Sequence, residues 1–118
     1  MTALTITLPW PATALWPNRN YGESWKFRQA PKKLAKELGY YEAKQFGVML
    51  PLEVTVPVIV TFHARTKRRF DLGGGYLACK GYEDGIAAAL GIDDYYFAPV
   101  LLRRGEPEKP GKVVFQIG

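Results

Sequence analysis

Residues 53–63 constrain the fold most, because apolar side chains occupy every second position of this stretch. A period of two residues places alternate side chains on opposite faces of a β-strand. The predicted apolar face consists of Val54, Val56, Val58, Val60 and Phe62. Pro57 has no N–H to donate to a neighbouring strand, so we expect either an edge strand or a bulge there. The chain must therefore build a β-sheet with at least one covered face.

Three shorter segments also have the composition of strands. Residues 4–8 alternate apolar residues with threonine, and residues 100–102 and 113–115 are apolar runs. We expect the last two to pair as a hairpin. The loop between them, residues 105–111, is too long and too rich in proline for a tight turn.

A first helix is predicted to begin at Pro31, since proline is tolerated in the first helical turn. Ser24 is a candidate N-cap upstream of it. Leu34, Leu38 and Tyr41 recur at steps of three and four residues. That spacing predicts one apolar stripe, which we expect to pack in the core.

A second helix is predicted over residues 75–90, although Gly81 and Gly85 each weaken it by about 1 kcal/mol relative to alanine. Cys79, Tyr82, Ile86 and Leu90 share one predicted face of this helix, and Leu77, Lys80 or Gly81, Asp84 and Ala88 share another. The element order β, α, β, α, β, β favours an α+β (mixed α/β) fold with a mixed or antiparallel sheet and two main helices. Residues 1–118 are predicted to form one small domain.

The composition limits the classes of function. Sixteen basic and eleven acidic residues give a net charge of +5 and a pI near 9.4. This excess favours polyanionic partners such as nucleic acid, or simply a basic protein without such a partner. A single cysteine, Cys79, excludes a disulfide framework, and a single histidine, His63, is expected to be surface-exposed or hydrogen-bonded and not catalytic. The sequence shows no leader or membrane span, so we expect a cytoplasmic protein without a membrane partner.

The central segment combines basic residues with carboxylates. The basic residues are Arg65, Lys67, Arg68 and Arg69. Such a run suits contact with a phosphate backbone. The nearby carboxylates are Asp71, Asp84, Asp93 and Asp94. Carboxylate oxygens are ligands that Mg²⁺ prefers, so the segment indicates metal-dependent chemistry on nucleic acid.

Some of these residues also have a purely structural explanation. Asp71 precedes a helix, where a short polar side chain often serves as the N-cap. Lys80 and Asp84 are four residues apart, so they could form an ordinary helix ion pair or place a lysine beside a scissile phosphate. Residues 73–75 are glycines but do not form a phosphate-binding loop, because Lys80 is followed by glycine and not by serine or threonine.

Several motifs together resemble the RusA family of Holliday junction resolvases, which are phage- and prophage-associated. The similarity runs over nearly the whole chain in the expected order. It is carried by residues 4–11, Pro17-Asn18, residues 68–72, Lys80, residues 84–86 and residues 91–94. The resemblance implies a homodimeric endonuclease that uses Mg²⁺, with Mn²⁺ as the alternative metal, to cut four-way DNA junctions in recombination and repair.

The resemblance also implies roles for individual residues. Asp71, Lys80 and Asp94 correspond to catalytic positions, and Asp84 to an aspartate on the helix. Asp71 and Asp94 would hold the metal, with Asp93 as a further ligand. The basic run around Arg68 would contact the DNA.

Two positions depart from the family pattern. Gly73 occupies the place of a second aspartate and Gly74 that of an asparagine. Glycine offers no side-chain ligand, so a non-cleaving protein that binds DNA junctions is the alternative function. A basic RNA-binding module is a third possibility, but the chain lacks the aromatic signature of common single-strand readers.

Overall fold

The computed structural model describes residues 3–17 and 26–118, and for residues 26–28 the backbone alone. The strands are β1 (Leu4–Pro9), β2 (Val56–His63), β3 (Phe97–Arg104) and β4 (Lys112–Ile117). The helices are α1 (Lys26–Lys44), α2 (Leu72–Ala78) and α3 (Lys80–Leu90). Short 3-10 turns span Thr13–Leu15 and Asp94–Tyr96. The predicted cap Ser24 and the turn residue Asn18 lie outside the described residues.

The four strands form one mixed sheet in the order β1-β4-β2-β3. β4 is antiparallel to both β1 and β2, whereas β3 is parallel to β2. The α+β class and the mixed sheet are confirmed. The predicted hairpin of residues 100–102 with residues 113–115 is wrong, because β2 lies between β3 and β4. The long connection 105–111 lets the chain cross β2, so each edge of β2 pairs with a different strand.

β2 is the central strand of the core. Its alternate side chains Val56, Val58, Val60 and Phe62 are buried, as predicted. Val54 is half exposed and precedes the strand. The pairing register of β2 with β3 shifts between Val56 and Val58, which confirms the predicted bulge at Pro57. The alternative of an edge strand is wrong, because β2 lies between β4 and β3.

The buried face of α1 differs from the predicted stripe. Leu34 and Tyr41 are 57% and 66% exposed, so their assignment to the core was wrong. Leu38 alone of the stripe packs against the core. The buried positions of α1 are instead the small residues Ala35, Gly39 and Ala43.

Close approach of α1 and α3 explains this choice of face. A Cβ atom on Gly39 would overlap the carbonyl oxygen of Tyr82, and one on Gly85 would overlap that of Lys36. Large side chains at these contacts would force the helices apart, because protein interiors are close-packed. Gly85 therefore weakens an isolated helix but is required by the packing.

The predicted helix 75–90 is two helices. It begins earlier than expected, at Leu72, because Asp71 caps it. It is interrupted at Cys79, whose backbone angles are φ −91° and ψ 1°. α3 ends at Gly91, which adopts φ 77°, a left-handed conformation that suits glycine. Of the two predicted faces, the one with Cys79, Tyr82, Ile86 and Leu90 is buried in the core.

The core lies between one face of the sheet and the helices. The inward side chains of β2 and β4 form it together with Tyr82, Ile86 and Leu90 of α3. Among the described residues, no helix has the length and apolarity that a membrane crossing requires.

Candidate functional site

Lys80 is the centre of a group of charged side chains at the start of α3. Its Nζ lies 2.5 Å from Oε2 of Glu83 and 3.1 Å from Oδ2 of Asp94. The first partner is one helical turn away, and the second belongs to the 3-10 turn that follows the helix. The ion pair predicted between Lys80 and Asp84 is absent from the described residues, where Glu83 takes that place.

Glu83 was missed by the sequence analysis. Its side chain is only 1% exposed, and Oε1 accepts a hydrogen bond of 2.7 Å from the Tyr76 hydroxyl. A buried carboxylate is stable only when it is paired and hydrogen-bonded, and Lys80 and Tyr76 supply both conditions. The available signal was the spacing of three residues from Lys80, which places both side chains on one helix face.

The contacts of Lys80 shift the pKa values around it. Burial by itself would lower the pKa of Lys80, but the hydrogen bonds and charges of Glu83 and Asp94 outweigh it and raise that pKa. Burial, and then the hydrogen bond to Glu83, raise the pKa of Tyr76. Lys80 is therefore a cation and Tyr76 a neutral donor throughout the physiological range.

Asp84 and Asp94 are also neighbours. Burial and the charge of Asp94 raise the pKa of Asp84. Burial opposes ionisation of Asp94 as well, but the hydrogen bond and the positive charge of Lys80 lower its pKa. The structure thus brings together three of the sequence-predicted residues: Lys80, Asp84 and Asp94.

Asp71 and Asp93 each cap a turn of helix. Asp71 oxygens accept from the N–H groups of Gly73 and Gly74, at 3.3 and 3.0 Å, which confirms the capping alternative for this residue. Asp93 Oδ1 accepts from the N–H of Tyr95 at 2.9 Å. Both carboxylates are exposed.

The predicted magnesium ligands do not converge. In the described part of the chain, no group of three or more Asp, Glu, His or Cys side chains is arranged to hold a metal ion. Asp71 is engaged with the α2 amides, Asp93 with the 3-10 turn, and Asp94 with Lys80. The set Asp71, Asp93 and Asp94 therefore does not fit a magnesium site made from protein side chains alone.

Gly73 and Gly74 stand next to the Asp71 carboxylate. A Cβ atom on Gly73 would lie 3.7 Å from Oδ1 of Asp71, an ordinary contact, and the position is exposed. A Cβ on Gly74 would lie 3.2 Å from Oδ2 of Asp71, which requires a small adjustment. Side chains at these two positions would therefore be directed toward Asp71.

The predicted phosphate-binding residues lie on the connection between β2 and α2. Their side chains, those of Arg65, Lys67, Arg68 and Arg69, are all exposed. The guanidinium of Arg68 lies 5.6 Å from the ring centroid of Trp10. Among the described residues, no arginine takes part in an ion pair, so none of these guanidinium groups is neutralised by a carboxylate.

An aromatic cluster packs next to this connection. Phe70 packs edge-on against Trp10 at 5.2 Å between centroids and lies 5.9 Å from Phe62 of β2. Arg104 of β3 donates a hydrogen bond of 3.0 Å to the carbonyl of Phe70 and lies over its ring. The cluster and Arg104 thus hold the basic connection against the end of the sheet.

No family model matches the chain. An uncharacterized protein of Xylella fastidiosa (strain Temecula1 / ATCC 700964) is 36% identical over an alignment of 118 residues, which covers 96% of this chain and 74% of that protein. The similarity spans nearly all of the chain, including the site around Lys80.

Proposed function

We propose that the chain, which belongs to the same family as the Xylella fastidiosa protein, binds four-way DNA junctions. The observation that carries the proposal is the exposed basic connection between β2 and α2. Its four cationic side chains are exposed, Arg68 lies over Trp10 of the aromatic cluster, and its arginines have no carboxylate partner among the described residues. The motifs that resemble RusA resolvases supply the substrate class.

The charge of the connection suits a phosphate backbone. Each cation that neutralises a phosphate releases counterions. The slope of the logarithm of the binding constant against the logarithm of the salt concentration becomes more negative by about 0.9 for each such contact. Four such contacts per protomer predict a slope near −3.6 from this connection alone. Guanidinium groups are well matched to phosphate because they donate two parallel hydrogen bonds.

A homodimer is part of the proposal. A four-way junction has strands related by two-fold symmetry, so a two-fold protein can contact both with the same surface. The resemblance to RusA resolvases implies the same arrangement. Equilibrium sedimentation of the free protein and of its junction complex measures the number of protomers in each.

Charge-neutralising variants test the proposed binding. In the triple variant Arg65→Gln, Lys67→Gln, Arg69→Gln, the contact of Arg68 with Trp10 is kept. The matched control carries the same change of charge on exposed lysines elsewhere: Lys33→Gln, Lys36→Gln, Lys109→Gln.

Binding of each variant to a labelled four-way junction and to a linear duplex is measured over a range of salt concentrations. We expect the first variant to lose about 2.7 units of salt slope at the junction for each bound protomer, three contacts at about 0.9 each, and the control to lose much less. Equal losses in both variants would contradict a localised contact. Equal affinity of the unaltered protein for junction and duplex would overturn the proposed function.

Cleavage of the junction is the second candidate function. It is favoured by the grouping of Lys80, Asp84 and Asp94 at one place. In such a reaction water adds to the phosphorus and the bond to the leaving oxygen breaks, and Lys80 is the group there that could neutralise the developing negative charge. The engaged state of Asp71 and the glycines beside it make this the weaker of the two candidates.

A restored site tests cleavage. The junction is incubated in Mg²⁺ or Mn²⁺ with the unaltered protein and with the variant Gly73→Asp, Gly74→Asn. We expect the unaltered protein to bind without cutting and the variant to gain cleavage, since Gly73 has room for a carboxylate near Asp71. Symmetric cutting by the unaltered protein, lost in Lys80→Met, would establish the second candidate instead.

A further inference from the structure

The outer face of the sheet is not covered by the helices. The core side chains of the strands point to the helical layer, and the alternate side chains point away from it. None of the four strands contains an aspartate or a glutamate. This face therefore carries polar and basic side chains together with apolar ones such as Ile59 and Leu101, and no carboxylate on any strand.

A groove of about 410 Å³ crosses this face near the ends of β2 and β3. The polar side chains that line it are Thr5, Thr61, His63, Arg103, Arg104 and Gln116, and Val114 is its apolar lining side chain. They include two guanidinium groups and several hydrogen-bonding groups. The groove has no acidic lining residue.

Two of the lining side chains are held in place by the protein. Arg103 donates from Nε to the Thr61 hydroxyl at 3.2 Å, and in the described hydrogen bonds its terminal nitrogens have no acceptor. Nδ1 of His63 lies 2.8 Å from the carbonyl oxygen of Glu106, so Nδ1 carries the proton. A Cβ on Gly105 would lie 2.6 Å from Nδ1, so a side chain there would displace the ring. Groups oriented in advance bind a ligand at a lower cost in entropy.

The groove is continuous with the basic connection. Arg104 lines the groove and also donates to the carbonyl of Phe70, which directly follows Arg69. Positive side chains therefore extend from the connection around the end of the sheet onto its outer face. A branched DNA presents its phosphates in more than one direction, whereas a single basic connection contacts one direction only.

We propose that this groove binds the phosphodiester backbone of a second arm of a branched DNA, with Arg103 as its main phosphate contact. The inference rests on the proposed junction binding and adds a second contact surface to it. Charge complementarity selects the occupant, because a polyanion gains from two unneutralised guanidinium groups and meets no carboxylate among the lining residues.

The variant Arg103→Gln tests the groove, with Lys33→Gln as the control for loss of one surface charge. Affinities for a four-way junction and for a linear duplex are measured in parallel. Losing one charge-assisted contact corresponds to about a tenfold loss of affinity. We expect that loss, and a salt slope smaller by about 0.9 for each bound protomer, at the junction only. Arg103→Lys should recover part of it, since lysine also contacts phosphate.

Two results would overturn the proposal. One is junction binding by Arg103→Gln equal to that of Lys33→Gln. The other is a shift of the free protein toward monomers in Arg103→Gln, which would identify the face as a contact between two copies of the chain. A failure of the proposed function is recognised separately, because the unaltered protein would then not distinguish junction from duplex.

Discussion

Replacing Lys80 by methionine removes the cation that faces the buried carboxylate of Glu83. The side chain of Glu83 is 1% exposed and that of Lys80 is 36% exposed. Removing one partner of a fully buried ion pair costs about 3–5 kcal/mol, because the other charge is left without compensation. The exposure of Lys80 lets water reach the carboxylate, so we expect about 2–3 kcal/mol after that discount.

The assay is urea unfolding followed by tryptophan fluorescence, with Lys112→Met as the matched control. Lys112 pairs with Glu108 at 2.9 Å, but both are partly exposed, and such pairs contribute about 0–1 kcal/mol. Adding Glu83→Gln to Lys80→Met removes the uncompensated charge and keeps a partner for the Tyr76 hydroxyl. We expect the double variant to recover at least about 1 kcal/mol, a coupling typical of contacting residues.

The reasoning is refuted if Lys80→Met costs no more than Lys112→Met. It is equally refuted if the effects of Lys80→Met and Glu83→Gln on the free energy of unfolding simply add. Either outcome would mean that Glu83 is stabilised by something other than Lys80.

Four further substitutions test the packing, the cap and the buried thiol. Gly85→Ala should lower the free energy of unfolding by about 2–3 kcal/mol, because its Cβ would overlap the backbone of α1. Gly73→Ala has space around its Cβ and should raise the free energy of unfolding by about 0.5–1 kcal/mol through helix propensity. Chemical denaturation measures both changes. Asp71→Ala should lower the free energy of unfolding by about 1 kcal/mol through loss of the α2 cap, both with and without Mg²⁺. A loss of stability that appears only with Mg²⁺ would instead identify Asp71 as a metal ligand. Burial raises the pKa of Cys79, so above about pH 9 the unfolded chain releases a proton that the folded chain keeps, and stability should fall by about 1.4 kcal/mol per pH unit. Between pH 9 and 10, Cys79→Ala should lack that slope in pH-dependent unfolding.

Local patterns were sufficient for much of the fold. The alternation in β2 depends on residues close together in the chain, and so does the bulge that was one of two expectations at Pro57. The capping role of Asp71 is local as well, since its hydrogen-bond partners are two and three residues away. Such features follow from backbone geometry and from nearest-neighbour chemistry, which a sequence displays directly.

The errors concern contacts between distant segments. The hairpin of residues 100–102 with 113–115 was expected because neighbours in sequence often pair, but both segments pair with β2 instead. The core stripe of α1 was chosen by side-chain size. The close approach to α3 reversed that choice, since only Gly39 and other small residues fit against Tyr82 and its neighbours.

The sequence by itself determined the sheet-forming character, the basic connection and the presence of Lys80, Asp84 and Asp94 near one helix. Only the tertiary structure decided which of these groups meet. Burial against the core made Glu83 the partner of Lys80, because a carboxylate removed from water needs a cation within reach. The return of the chain after α3 brought Asp94 to the same lysine, while capping kept Asp71 with its own helix. Pairing partners depend on how the backbone folds back in space, and periodicity does not encode that path.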